Sequence, residues 1–343
     1  MNFSSDNTSG ASPQIIDAII RANEGQCMSY GDDTYTKLVS ERFCEVFETD
    51  AYVYLVATGT AANALSLSVL MNNYGATLCY WESHVYEDEC GAPEFFSGGG
   101  KLIPIEGKNG KMVPEIISHF AGRGVGDVHM SQPQAVSITQ ETETGSVYSL
   151  DEIETINQIC KSNKLKLHMD GARFANALVS LDCSPAEMTW KAGVDVVSFG
   201  ASKNGAMASE AVIFFDKSMS KEFEFRRKRA GHLFSKMRLL SSQMEAYLKE
   251  DLWLNNARHA NQMAKRLNDG LSKIQGIETP DHVDANIIFP KFPTALTDDL
   301  NAQGIKFYSD RWETGTVRLV TAFNTPQEHV DGFISAVQNH ISK

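Results

Sequence analysis

The sequence predicts an α/β fold with a mainly parallel central sheet, followed by a smaller C-terminal α+β domain. Three observations carry this expectation. Short apolar runs alternate with longer helical patterns from Tyr52 to Phe215. Most of those runs are apolar without alternation, as strands covered on both faces are. From Lys217 the pattern becomes a long helical stretch, and after Asp251 its character changes. The expected division is an N-terminal arm and helix (1–20), a large domain (21–248) and a small domain (249–343).

At 343 residues the chain can bury a large core. Its formal net charge of −12 argues against a nucleic-acid or anionic-membrane partner, because phosphate-rich surfaces need concentrated Lys and Arg. No apolar run approaches the roughly 20 residues of a membrane helix. The N-terminus MNFSSDNTSG has neither a secretory apolar core nor an Arg-rich transit pattern. The six cysteines are dispersed without CxxC spacing, so a reduced cytoplasmic protein without a metal site is expected.

Taken in order, Phe3 to Asn7 reads as an N-terminal arm whose hydroxyls can reach a site. Ser12-Pro13 opens a helix through Ile15, Ile16, Ile19 and Ile20. Asp33 is a candidate N-cap for a helix from Thr34 to Glu48, with Leu38, Phe43, Val46 and Phe47 on its core face. Strands are expected at Tyr52–Val56, Thr77–Trp81, Lys101–Ile105, Ala135–Thr139, Leu167–Asp170, Val194–Phe199 and Ala211–Phe215. Helices are expected near Pro114–Phe120 and over Leu150–Cys160. In the last domain, helices are expected through Trp253, Ala257, Ala264 and Leu267, over Asp298–Gln303 and from Pro326 to His340. Strands there are expected near Ala285–Phe289, Ile305–Tyr308 and Val317–Val320.

The chemistry centres on Leu165–Phe215. Asp170 ends one apolar run and is followed by Gly171-Ala172-Arg173; Lys203 stands among small residues after the next run. An acid at one strand end and an amine in the next loop suit an enzyme that holds a pyridine aldehyde, the carboxylate meeting the ring nitrogen and the amine the aldehyde. Upstream, the strand at Tyr52 runs into Thr58-Gly59-Thr60 and a helix. This arrangement points free N–H groups at an anion, although a plain N-cap reads the same way. His84 follows a strand end, where α/β sheets place ligand-contacting residues, but a solvated or capping histidine fits there too.

TGTAAN, SHVYEDECGAPEFF, HMDGARF and WKAGVDVVSFGASKNG, with SSDN and YGDD before them and RLVTAFNT after, occur in one order. Together they resemble fold-type I pyridoxal-phosphate enzymes, and within these the low-specificity L-threonine aldolases of the β-eliminating lyase group. The resemblance runs nearly end to end and is similar to a pseudomonad subgroup of threonine and phenylserine aldolases. It implies pyridoxal 5′-phosphate as cofactor and retro-aldol cleavage of β-hydroxy-α-amino acids to glycine and an aldehyde. Phenylserine as main substrate, a tryptophanase-type β-elimination, transamination and a non-catalytic subunit remain alternatives.

Residue by residue, the resemblance makes Lys203 the Schiff-base lysine and Asp170 the partner of the pyridine nitrogen. It puts Arg173 near the phenolic oxygen or the substrate carboxylate, and Thr58, Gly59 and Thr60 around the phosphate. His84 stacks on the ring, and His129 is a second histidine near the β-hydroxyl. Arg318 grips the substrate carboxylate with help from Ser5, and Tyr30 is offered across a subunit interface. The resemblance also implies a homotetramer, a dimer of dimers with sites at the dimer interface. The chain departs from many relatives at SKNGAMASE after the lysine. It also has Ser235 where they carry a phosphate-binding arginine, so Lys228, with Lys236 or Arg238, is assigned to the phosphate. Ala201, Asn204 and the loop Gln140–Ser146 are expected to shape the substrate pocket.

Overall fold

Seven strands form the main sheet of the computed structural model, which describes residues 1–342. In chain order the strands are β1 (Tyr52–Val56), β2 (Gly75–Tyr80), β3 (Lys101–Ile105), β4 (Gly107–Lys108), β5 (Lys111–Met112), β6 (Gln132–Thr139), β7 (Lys166–Gly171), β8 (Val196–Phe199), β9 (Glu210–Phe214), β10 (Ile287–Ile288) and β11 (Leu319–Val320). The main sheet has the order β1-β9-β8-β7-β6-β2-β3. Strands β3, β2, β6, β7 and β8 are parallel, whereas β9 is antiparallel to both its neighbours. Thus the mainly parallel sheet expected from unalternating apolar runs is what forms. β8 is buried along its whole length, and in β7 only Lys166 is partly exposed.

Parallel strands put their carboxyl ends on one edge, and the loops that leave β6, β7 and β8 there build the site. The covering helices follow apolar periodicity with one change of face. On the helix Thr34–Phe47 the buried residues are Val39, Phe43 and Phe47, spaced by four, while Leu38 is exposed. Asp33 caps that helix, accepting from the Thr36 N–H at 2.9 Å. On Leu150–Asn163, Ile153, Ile156 and Cys160 face the core, and Ser149 with Glu152 forms a capping box. The long helical stretch after β9 is two helices, Lys217–Arg229 and Arg238–Leu248, broken around Gly231.

A second core gathers Leu267, Leu271, Leu296, Phe307, Leu319, Val330 and Phe333 around β10 and β11. The segment Ile305–Tyr308, expected as a strand, forms only isolated bridges, Lys306 with Asn2 and Tyr308 with Arg318. The N-terminal arm belongs to this core rather than lying on it. Phe3 donates to the Lys306 carbonyl at 2.7 Å, receives the Val320 N–H at 2.8 Å, and packs edge-on against Phe333 at 5.1 Å. That anchorage delivers the next residues, Ser5 to Asn7, to the mouth of the large sheet.

Candidate active site

Asp170 and Lys203 leave neighbouring strands, and close backbone approach brings them to one cavity of about 320 Å³. At Gly200, just past β8, an added Cβ would collide with the Ala172 carbonyl, so only glycine lets the lysine loop cross the Asp-Gly-Ala-Arg turn. Gly205 closes the loop with φ of +114° and its carbonyl accepts the Ser12 N–H at 2.8 Å. Glu210, at the start of β9, accepts the Ala201 N–H at 2.8 Å and so ties the lysine loop to the strand.

A chain of buried hydrogen bonds orients the acid and the loop histidine together. Asn63, on the helix Gly59–Leu70, donates to Asp170 Oδ2 at 2.8 Å and to Glu89 Oε1 at 2.9 Å. The same Glu89 oxygen meets His84 Nδ1 at 2.9 Å. That hydrogen bond raises the His84 pKa. Asp170 also accepts the Ala172 N–H at 3.0 Å. Beneath it, His168 is held between Ser137 at 2.8 Å and Ser198 at 3.0 Å, and burial drives its pKa down to about 4.

At the other end lies an ion pair between residues 167 apart in sequence. Arg173 Nε donates to Asp6 Oδ2 at 2.7 Å, and its Nη2 to Oδ1 at 3.0 Å. Both side chains are buried, a bidentate geometry that suits a desolvated pair. Burial alone would raise the Asp6 carboxyl, but Arg173 and Lys203 outweigh it and hold it below the usual range. For Lys203, burial and then Arg173 lower the amine pKa, which favours a nucleophilic neutral amine. Burial and then Arg173 also lower Arg318, to about 10.

Thr58, Gly59, Thr60, His84, Asp170, Arg173 and Lys203 all line this one cavity. Ser5 stands beside it and caps the turn Asp6–Thr8 by accepting the Asn7 N–H at 3.1 Å, and it is Asn7 that reaches the cavity wall. Tyr30 and Lys228 lie elsewhere, the Lys228 ammonium 4.7 Å above the Tyr30 ring in a surface groove shared with Lys236. His129 also lies elsewhere. It is exposed, three residues ahead of β6, at the amino edge of the sheet, whereas the cavity opens at the carboxyl edge. The eight residues of β6 separate the two by roughly 25 Å, so His129 does not line the cavity of its own chain.

From the Gln140–Ser146 loop, Glu141 and Glu143 line the cavity, while Asn204 is engaged below by Tyr247 and Trp253. Asp6, Asn63, Glu89, Glu141, Glu143 and Glu210 were not singled out from sequence. Asp6, Asn63 and Glu89 do stand inside the SSDN, TGTAAN and SHVYEDEC motifs.

The donor set fits pyridoxal phosphate. Thr58 caps a twelve-residue helix, accepting from the Ala61 N–H at 3.2 Å, and leaves the first-turn N–H groups of Gly59 and Thr60 without intrahelical acceptors. A Cβ at Gly59 would meet nothing, so that turn is open to an anion. A buried carboxylate and a half-buried amine complete the set.

The family described as beta-eliminating lyase matches residues 2–293. A low specificity L-threonine aldolase of a Pseudomonas species (strain NCIMB 10558) is 42% identical over 328 residues, spanning 96% of this chain and 94% of that protein. The solved threonine aldolase of Leishmania major superposes with a TM-score of 0.93 at 29% identity, covering 99% of each chain. Serine palmitoyltransferase of Sphingomonas wittichii shares the fold, with a TM-score of 0.74 at 15% identity.

Proposed function

The chain belongs to the beta-eliminating lyase family, and on that premise we propose that it is an aldehyde-lyase acting on L-threonine, L-allo-threonine and related β-hydroxy-α-amino acids. It splits the Cα–Cβ bond, releasing glycine and an aldehyde, with pyridoxal 5′-phosphate as cofactor. The observation that carries this reading is the meeting of Asp170, Lys203, the Thr58–Thr60 turn and Arg173 on one cavity.

The bound cofactor supplies an electron-poor ring that accepts the electron pair left at Cα when that bond breaks. Lys203 supplies the amine that holds the aldehyde carbon, made available by its lowered pKa. Asp170, pinned by Asn63 and the Ala172 N–H, keeps a proton on the pyridine nitrogen. The Gly59 and Thr60 N–H groups receive the phosphate. Arg318, with Ser5 beside it, holds the α-carboxylate and so fixes which bond stands in line with the ring's π system. His84, donating its Nδ1–H to Glu89, keeps Nε2 free to take the β-hydroxyl proton.

The assembly we propose is a homotetramer, a dimer of dimers in which Tyr30 and the basic residues Lys228, Lys236 and Arg238 serve a neighbouring subunit's site. In support, Lys228 and Lys236 share an exposed groove with Tyr30. A cytoplasmic location fits the six unpaired cysteines.

Product analysis tests the reaction. Incubation with both diastereomers of threonine and of phenylserine should yield glycine and the matching aldehyde in equal amounts. Pyruvate with ammonia, or a new amino acid formed from a keto acid, would contradict it.

A further inference from the structure

Glu141 forms part of the cavity wall, is 1% exposed, and has no side-chain hydrogen-bond partner at either carboxylate oxygen; the Asn286 N–H approaches it without full hydrogen-bond geometry. Every other acid at this site is engaged. Asp6 is bonded to Arg173, Glu89 to His84 and Asn63, Glu143 to the His84 N–H and Thr139, Asp170 to Asn63, and Glu210 to the lysine loop. An isolated buried anion is disfavoured unless a partner arrives.

Its surroundings indicate which partner. Arg173 faces it from the turn after β7, Arg318 from the segment before β11, Asp6 from the N-terminal turn, and the Asn286 backbone from before β10; Glu143 follows on its own loop. Arg173 already spends two donors on Asp6. The Arg318 guanidinium makes no hydrogen bond among the described residues. The hydrogen-bonding capacity left at this end is therefore one guanidinium fork and one carboxyl.

We propose that Glu141, in its neutral form, donates a hydrogen bond to the substrate α-carboxylate beside Arg318; this rests on the reading that Arg318 holds that carboxylate. A neutral carboxyl adds a donor without adding charge, and an O–H bonded to a carboxylate is among the stronger hydrogen bonds. Ionised Glu141 would instead repel the substrate and occupy Arg318 itself. Burial, reinforced by Asp6 and opposed by Arg173, the Asn286 N–H and Arg318, raises its pKa to about 8. Carboxylate binding is then full below that value and is lost as the pH rises through it.

The test uses the holoenzyme and 3-hydroxybutyrate, which carries the carboxylate and β-hydroxyl of threonine but no amine to titrate. Calorimetric Kd values are measured from pH 6.5 to 9.5 for the wild type, Glu141→Gln and Arg318→Ala. The wild-type Kd should climb toward about tenfold per pH unit above the Glu141 pKa. In Glu141→Gln, whose amide donates but cannot titrate, it should stay level; an equal climb would place the titrating group elsewhere and overturn the proposal. Independently of whether that variant folds, titrations of the wild type at pH 8.5 in buffers of different ionisation heat should show proton uptake on binding, and none overturns the proposal. Arg318→Ala should lose binding at every pH. If it binds like the wild type, the carboxylate clamp is misplaced, which is separable from a Glu141 failure, where Arg318→Ala loses binding but the wild-type Kd is flat with pH.

Discussion

Replacing Asp6 with asparagine removes one charge from the N-terminal arm and leaves Arg173 buried without its counter-ion. The side chain keeps its shape, but the amide presents an N–H₂ to one guanidinium donor that now meets a carboxylate oxygen. Breaking a buried ion pair from one side costs about 3–5 kcal/mol. With an unfolding entropy of about 2.1 cal/mol/K per residue, this chain would melt with about 0.7 kcal/mol/K, so Tm should fall by ~4–7 °C. Since the Asp6 carboxyl is held below its ordinary pKa, its stabilisation is present above the unfolded carboxylate pKa. It is lost as the pH falls through the lower folded value, so the variant should show a shallower acid limb. Scanning calorimetry of the holoenzyme at neutral pH, repeated at high salt, is the assay. Because the pair is desolvated, salt should not mimic the mutation. A fall under ~1 °C would refute the idea that this pair anchors the arm to the site.

Other outcomes follow from the same geometry. Glu89→Gln removes the main cause of the raised His84 pKa, so the His84 titration followed by NMR should move down toward that of a free histidine; an unmoved titration would mean that Glu89 does not govern His84. His168 is buried neutral with a pKa of about 4, so stability present above the unfolded histidine pKa should decline between about pH 6.5 and 4, by about 3 kcal/mol in all. Chemical denaturation across that range should lose this dependence in His168→Gln, and an unchanged slope would assign it to other groups. Arg318→Ala should raise KM for threonine at least about tenfold, the loss of one charge-assisted hydrogen bond, and an unchanged KM would move the carboxylate to another arginine.

Much of the site was legible because its residues sit where one local pattern gives way to another. Asp170 ends a strand, Thr58 caps a helix and Lys203 follows an apolar run, each readable from its neighbours alone. Asp6 and Glu141 were not, because their importance lies in tertiary partners: Asp6 meets Arg173 across 167 residues, and Glu141 matters for what fails to bond it. His129 falls away from its own chain's cavity for a reason topology supplies. A residue just before a parallel strand lies at the amino edge, opposite the carboxyl edge where open α/β sheets bind ligands. On the helix Thr34–Phe47, adjacent Leu38 and Val39 compete for the core, and spacing by four from Phe43 and Phe47 selects Val39. Phe3 read as part of an N-terminal arm rather than of a core because its hydrogen-bond partners, Lys306 and Val320, lie some three hundred residues away.

The central claim is that Lys203 and Asp170, brought together by crossing loops, hold the cofactor for a retro-aldol cleavage. Borohydride reduction of the cofactor-loaded enzyme, followed by peptide mapping, tests it most directly. The label should map to the peptide containing Lys203, and Lys203→Ala should bind no cofactor covalently and release no glycine from threonine. A label on another lysine, or cofactor-dependent glycine release by Lys203→Ala, would contradict the account.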